Sequence, residues 1–331
     1  MPEPGADSAR ATARDGWIWG YPVLENYRTL YAQAVDDADP RSVGGFGRFL
    51  HHARHDTRSR PRTPAAPDGV TADHGTPLSW AWLDLRAEPW VVSVPATDRR
   101  YVLTVHDLDT PYVGFIGSRT TGRAAGDYLV AGPGWTGGVP SRLTGALFAD
   151  TLLVGIVGRA YPAGPDDVDG PRAVREGWRL TPLSRFLDRP APHPAPEPVW
   201  PVWREEDLGS VEFFTLLDFL LQFCPVPAGG SPLRERLAAL GVTGGGEFEP
   251  AALTSELTAA IEQGIADARA LLKEAEASTT HRFGTRQEQG DDFLTRAVGA
   301  AKGLYRLPAA EARYAGRSPD DPGDDAHAGT E

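Results

Sequence analysis

The chain has 331 residues, 41% of them hydrophobic and 24% charged, enough apolar material for a full core in one to three domains. Its 33 basic and 45 acidic residues leave a net charge of −12, which argues against a nucleic-acid partner because phosphate contact needs a basic face. A single cysteine, Cys224, excludes an internal disulfide and a cysteine-built metal centre, and no run approaches the ~18 apolar residues of a membrane span.

Residues 1–36 form an N-terminal helical segment expected to pack on the core. Trp17, Tyr21, Leu24, Arg28, Tyr31 and Val35 recur at three- and four-residue steps over 8–36, one face of a helix. Pro22 marks a kink or the start of a second helix. The start of the chain lacks a basic region followed by an apolar stretch, so a cytoplasmic protein is expected. From Phe46 to Pro67 the chain carries five Arg and three His. His51 and His55 stand four apart, as zinc ligands on a helix do, with Asp56 the local carboxylate; a solvated basic loop is the alternative.

Residues 37–164 read as the β-rich core. Short strands are predicted over Trp80–Leu85, Trp90–Val94, Arg100–Val105, Val113–Ile116, Tyr128–Ala131, Ala146–Phe148 and Leu152–Val157, separated by Gly, Pro, Asp and Thr turns. Neighbours are expected to pair antiparallel, and no intervening helix points to a parallel sheet.

Beyond this the period changes to that of helices, in a subdomain over 165–317. Helices are predicted over Asp166–Trp178, Ser210–Phe223, the stretch from Pro232 to a stop at Gly241, Pro250–Ala277 and Asp291–Tyr305. A Pro-rich linker, 189–203, runs extended. Asp218 interrupts the most apolar helix and is expected on its exposed stripe. Gly244-Gly245-Gly246 reads as a linker. The acidic tail 318–331 has four Asp and one Glu against no Lys or Arg, and is expected to be disordered.

The chain has no GxSxG elbow, HExxH, phosphate loop or GxGxxG opening a helix. What remains is the block around Tyr101–Trp135. His106, Asp107 and Asp109 lie where a strand gives way to a turn, and a His beside carboxylates suits acid–base work near neutral pH. Strand alternation separates His106 from Asp107, and the two Asp residues also suit Asx turns leading into Pro111. Arg119 offers a planar fork for a carboxylate or phosphate, or for loop carbonyls.

Several of these residues carry a family likeness. Gly20-Tyr21-Pro22, Tyr27-Arg28-Thr29, Phe49 with His51, Ala81-Trp82-Leu83-Asp84-Leu85, Val94-Pro95, Asp107, Thr110, Arg119-Thr120-Thr121-Gly122, Gly126-Asp127-Tyr128-Leu129, Gly132-Pro133-Gly134-Trp135, Phe293-Leu294-Thr295-Arg296-Ala297 and Glu311-Ala312-Arg313-Tyr314 resemble the DUF1254 family. The partner domain DUF1214 that usually follows is expected to be absent. The family's Asn-x-Asp-Thr-Leu-Tyr-Ser motif reads here Asp73-His74-Gly75-Thr76-Pro77-Leu78-Ser79, so a carboxylate supplied at its Asp position has no counterpart at Gly75.

The combined expectation is an α+β protein: a mainly antiparallel sheet or sandwich with an N-terminal helix and a C-terminal helical subdomain. The function expected is a small-molecule enzyme with no cofactor and no metal, of cyclase or isomerase type, acting on a largely apolar metabolite in an aromatic-lined pocket. Its acid or base would be His106, Asp107 or Asp73. Trp82, Tyr101, Asp109, Tyr112, Arg119 and His51 would line the pocket. A hydrolase, metal-assisted through His51, His55 and Asp73, and a non-catalytic binding protein are the alternatives.

Overall fold

The computed structural model describes residues 4–52, 78–163, 167, 169–227, 229–278, 284–304 and 311. Asp73, His55, Asp56 and the tail 318–331 lie outside the described residues. The fold is α+β, with two sheets and a helical layer.

The first sheet holds β1 (Leu50–His51), β2 (Leu78–Asp84), β4 (Tyr101–Asp107), β5 (Tyr112–Gly117) and β8 (Leu153–Ala160) in the order β1-β2-β8-β4-β5, all antiparallel. The second holds β3 (Trp90–Val94), β6 (Gly126–Ala131), β7 (Gly145–Phe148) and β9 (Arg179–Pro182) in the order β7-β6-β3-β9. Ala81, Leu83, Leu103, Val105 and Ile156 from the first sheet meet Val92, Val94, Tyr128 and Val130 from the second in a shared core. Burial of alternate residues is what makes these β-branched runs strands.

Two expectations about the strands are corrected. Consecutive strands mostly do not pair: β2 and β3 sit in different sheets, and β6 and β7 run parallel. The connection over 132–144 is long enough for a parallel crossover, whereas a hairpin turn is not. Arg179–Pro182, a stretch given no strand in the sequence, pairs with β3, and Leu50–His51 is an edge strand on β2 within the basic stretch for which a solvated loop was an alternative.

The helical layer is built on α1 (Ala6–Leu30), which continues through Pro22 and ends in a π-helical turn over Tyr31–Val35. It packs along α6 (Ser255–Ser278) and α8 (Phe293–Lys302) and touches α4 (Glu212–Leu221) and α5 (Pro232–Ala239). Small residues permit the approach: a Cβ on Gly264 of α6 would lie 2.4 Å from the Arg10 carbonyl. The aromatic stripe of α1 is core packing, with Trp17 stacked on Tyr21 at 4.9 Å and on Phe213 at 5.6 Å. Shorter helices are α2 (Asp169–Gly177), α3 (Leu183–Phe186) and α7 (Arg286–Gln289). Ser231 caps α5 ahead of Pro232, and α8 is capped by Asp292 rather than Asp291. No helix among the described residues is long and apolar enough to cross a membrane.

Asp218 is the third correction. It is fully buried, and its carboxylate accepts four backbone N–H groups, from Thr243 and Gly244 at 2.6 Å each, Glu247 at 2.8 Å and Phe248 at 3.0 Å. The stretch Gly244-Gly245-Gly246 is therefore not a slack linker. The loop over 243–248 that contains it wraps the buried carboxylate, with Gly244 itself donating, and Gly244 and Gly246 take the positive φ values of 91° and 71° that such a wrap requires.

Candidate functional site

The face of the first sheet turned away from the shared core carries the polar chemistry. In register across β2, β8, β4 and β5 stand Trp82, Gly155, His106 and Tyr112; two steps on stand Trp80, Val157, Thr104 and Phe115; then Leu78, Arg159, Val102 and Gly117. Alternation thus brings Trp80, Trp82, Thr104, His106, Tyr112 and Arg159 to one face. Trp82 joins the helical core there, with Leu108 and Leu153.

His106 is buried and lies against Gly155, where an added Cβ would come within 2.2 Å of the ring. Trp82 meets it edge-on, with ring centroids 5.5 Å apart. Burial pushes the imidazole down to about 4, against the opposing pull of the Asp107 carbonyl and the Asp109 charge, so the ring is neutral at pH 7. Its Nδ1 is 3.0 Å from the carbonyl oxygen of Asp107. A carbonyl only accepts, so Nδ1 carries the proton and Nε2 presents the lone pair.

The Asp107 carboxylate works elsewhere. Its Oδ1 accepts from Asp150 N, Thr151 N and Thr151 Oγ1 at 2.9–3.0 Å, and its Oδ2 from Arg286 at 3.1 Å. The same guanidinium bonds both oxygens of Asp109 at 2.8 and 2.9 Å and Asp150 through Nε at 2.7 Å. Burial and the neighbouring Asp109 push the Asp107 carboxyl up. Burial also acts to raise Asp109, but the Arg286 bonds and charge, with Arg296, outweigh it and hold the carboxyl below its usual value. The turn itself is strained: Thr110, a β-branched residue, sits at φ 86°. Nearby, Asn26 of α1 donates to the Leu108 carbonyl at 2.8 Å.

The turn at His106–Tyr112 does not face solvent, and every residue from Tyr101 to Tyr112 is buried. The strand ends are covered because the C-terminal stretch docks on them, with Tyr112 N donating to the Gly284 carbonyl at 2.9 Å and Arg286 inserted beside the turn. The remaining candidates scatter. Tyr101 is in the core between the sheets, where burial raises its phenol to about 12. His51 bonds Ser79 Oγ at 2.8 Å at the opposite edge of the sheet, and burial lowers its pKa. Among the described residues no three His, Cys, Asp or Glu side chains come together as a metal site.

Arg119 is drawn to a carboxylate, not to loop carbonyls. Its Nε and Nη2 reach Glu311 Oε1 at 2.6 and 2.5 Å, and Glu311 is buried. Arg119→Ala is expected to cost about 1–2 kcal/mol, since it strands a buried carboxylate while Arg119 itself is part-exposed. Arg119→Lys should restore less than half, because one ammonium cannot reproduce two donors of a planar fork. Urea titration of the three proteins checks this. Arg286 and Thr151 were not singled out in the sequence, and Arg296 and Glu311 stood only within family-like segments with no role given. The available signal was the acidic turn itself, since two carboxylates bound for the interior require a cation from elsewhere in the chain.

Residues 54–182 match the family described as "Protein of unknown function (DUF1254)". The fold is similar to the crystal structure of the VPA0106 protein from Vibrio parahaemolyticus, with a TM-score of 0.67 and 23% sequence identity over 91% of this chain and 68% of that one. No curated protein matches the chain.

Proposed function

We propose that this chain, which matches the DUF1254 family over residues 54–182, is an enzyme that moves a proton on a small, largely apolar metabolite, as an isomerase or cyclase does. The carrying observation is His106: a neutral imidazole with its tautomer set by the Asp107 carbonyl, on a sheet face that also carries Trp80, Trp82 and Tyr112. A base that is uncharged at pH 7 and shielded from water needs no deprotonation before it acts. Nε2 would take the proton, and the aromatic side chains would supply apolar contact. Asp107, engaged by Thr151 and Arg286, positions the turn and does not share the proton transfer. The burial of His106 also suits a second reading, a binding protein that encloses its ligand without turnover.

Proton abstraction can be measured without the natural substrate. Cyclic and aromatic ketones are incubated with the protein in D2O, and loss of the α-proton signal is followed by NMR. The wild type should exchange these protons above the buffer rate. His106→Gln should lose about 100-fold or more of that excess while melting within a few degrees of wild type, the scale expected for removing an acid–base group. Equal exchange in His106→Gln, or none above buffer in the wild type, overturns the enzyme reading. A ligand-dependent melting shift without exchange supports the second.

A further inference from the structure

We infer that Arg296 anchors a buried site for the carboxylate of a small organic acid, between α8, α1 and the β4–β5 turn. Arg296 is 3% exposed. Its Nη1 stands 3.7 Å from Asp109 Oδ2, too far for a hydrogen bond, and Asp109 is already committed to Arg286 through both oxygens. The Nε and Nη2 of Arg296 have no acceptor among the described residues. Those two groups form one edge of the guanidinium fork, two parallel N–H donors at the spacing of a carboxylate's two oxygens.

A second orphan lies on the same turn. The hydroxyl of Thr110, the residue after Asp109, is buried and has no partner among the described residues. Its backbone is held at φ 86° although valine-like branching disfavours that region. Strain of this kind persists where a surrounding structure imposes it, and it accumulates at ligand sites. Arg296 also lies over the Phe293 ring at 5.0 Å, which fixes the plane of the fork. Unsatisfied buried donors are rare in folded proteins, and three on two residues at one turn, Thr110 and the Arg296 beside Asp109, call for an acceptor.

The charge around the site selects the ligand. A doubly charged phosphate would meet the Asp109 carboxylate, which shares the guanidinium. A singly charged carboxylate is bonded by the fork and repelled less. The inference does not rest on turnover at His106, since binding at Arg296 needs no proton transfer.

The test uses the whole chain and thermal melts at matched ionic strength, with benzoate, its neutral counterpart benzamide, and inorganic phosphate as probes. Benzoate at about ten times its dissociation constant should raise the wild-type melting temperature by about 2 °C, benzamide and phosphate by much less. The shift should vanish in Arg296→Lys, which keeps the charge and loses the paired edge, and should require several-fold more benzoate in Thr110→Ala. It should survive in His106→Gln, so that loss of proton exchange with the benzoate response intact counts against the His106 reading alone. Equal shifts from benzoate and benzamide, a shift retained in Arg296→Lys, or a larger one from phosphate overturns the site. Should Arg296→Lys fail to fold, wild-type crystals soaked with p-bromobenzoate decide. A carboxylate on Nε and Nη2 supports the inference, and water alone there refutes it.

Discussion

Asp218→Ala should leave the protein largely unfolded at room temperature. The substitution removes one acceptor and strands four amide donors, those of Thr243, Gly244, Glu247 and Phe248, in a loop with no other partner for them among the described residues. A hydrogen bond to a charged group contributes roughly 1.5–3 kcal/mol, and a buried donor left unpaired costs a further fraction of that. Even the low end summed over four bonds reaches ~6 kcal/mol, comparable with the whole stability of a typical domain, about 5–15 kcal/mol. Asp218→Asn keeps one oxygen and turns an N–H toward the other pair of donors, so about half the loss is expected. Urea unfolding followed by circular dichroism checks both. A loss below about 2 kcal/mol in the alanine variant would mean that the loop finds other acceptors.

Removing the cation from the β4–β5 turn should be nearly as damaging, and in a pH-dependent way. Arg286→Met leaves Asp107 and Asp109 buried with only Arg296, 3.7 Å from Asp109, as a counter-charge, a change that costs roughly 3–5 kcal/mol at pH 7. In the variant both carboxyls would have folded pKa values above the unfolded ~3.9. The native state then binds more protons than the unfolded one, so stability falls as pH rises from about 4 to the raised values. Asp109 in the wild type, held below the usual range, has the opposite sign: its contribution is present above the unfolded value and lost as pH falls. The gap between wild type and Arg286→Met should therefore narrow as pH is lowered from 8 to 5. A constant gap across that range would show that the two carboxyls do not sense Arg286.

The strands were legible in the sequence because their signal is local. Val91, Val92, Leu103, Val105, Val154 and Ile156 alternate or cluster in short runs bounded by turn residues, and each run became a strand. Which strand pairs with which was not legible. Pairing β2 with β8 and β6 with β7 depends on how two sheets close over one core, a non-local choice that no short window records. Asp218 was misplaced because helical periodicity gives it a position but not a partner. The amides it binds lie 25 or more residues further along the chain. His106 was visible as a residue type beside carboxylates, yet its neutrality comes from burial against Gly155 and Trp82, both remote in sequence. Arg286 lies in no motif, and Arg296 stood only inside the family-like stretch Phe293–Ala297 with no role attached, so the charge demand of Asp107 and Asp109 was what pointed toward both.

The placement of α1 bears on how the protein comes to be made. Its apolar side, with Ala9, Ala13 and Trp17, is covered chiefly by α6 and α8, and Arg10 pairs with Asp267 at a separation of 257 residues. On a ribosome adding ~5–20 residues per second, that side stays uncovered for roughly ten to fifty seconds after it emerges. α1, made long before α6 and α8, is therefore among the last helices here to find its place, and folding of this topology is slow because distant segments must meet before either is rewarded. Limited proteolysis of ribosome-bound chains should find α1 protected only once α6 has cleared the exit tunnel. Cleavage resistance at shorter lengths would point to a holding partner, such as a chaperone, on the nascent helix.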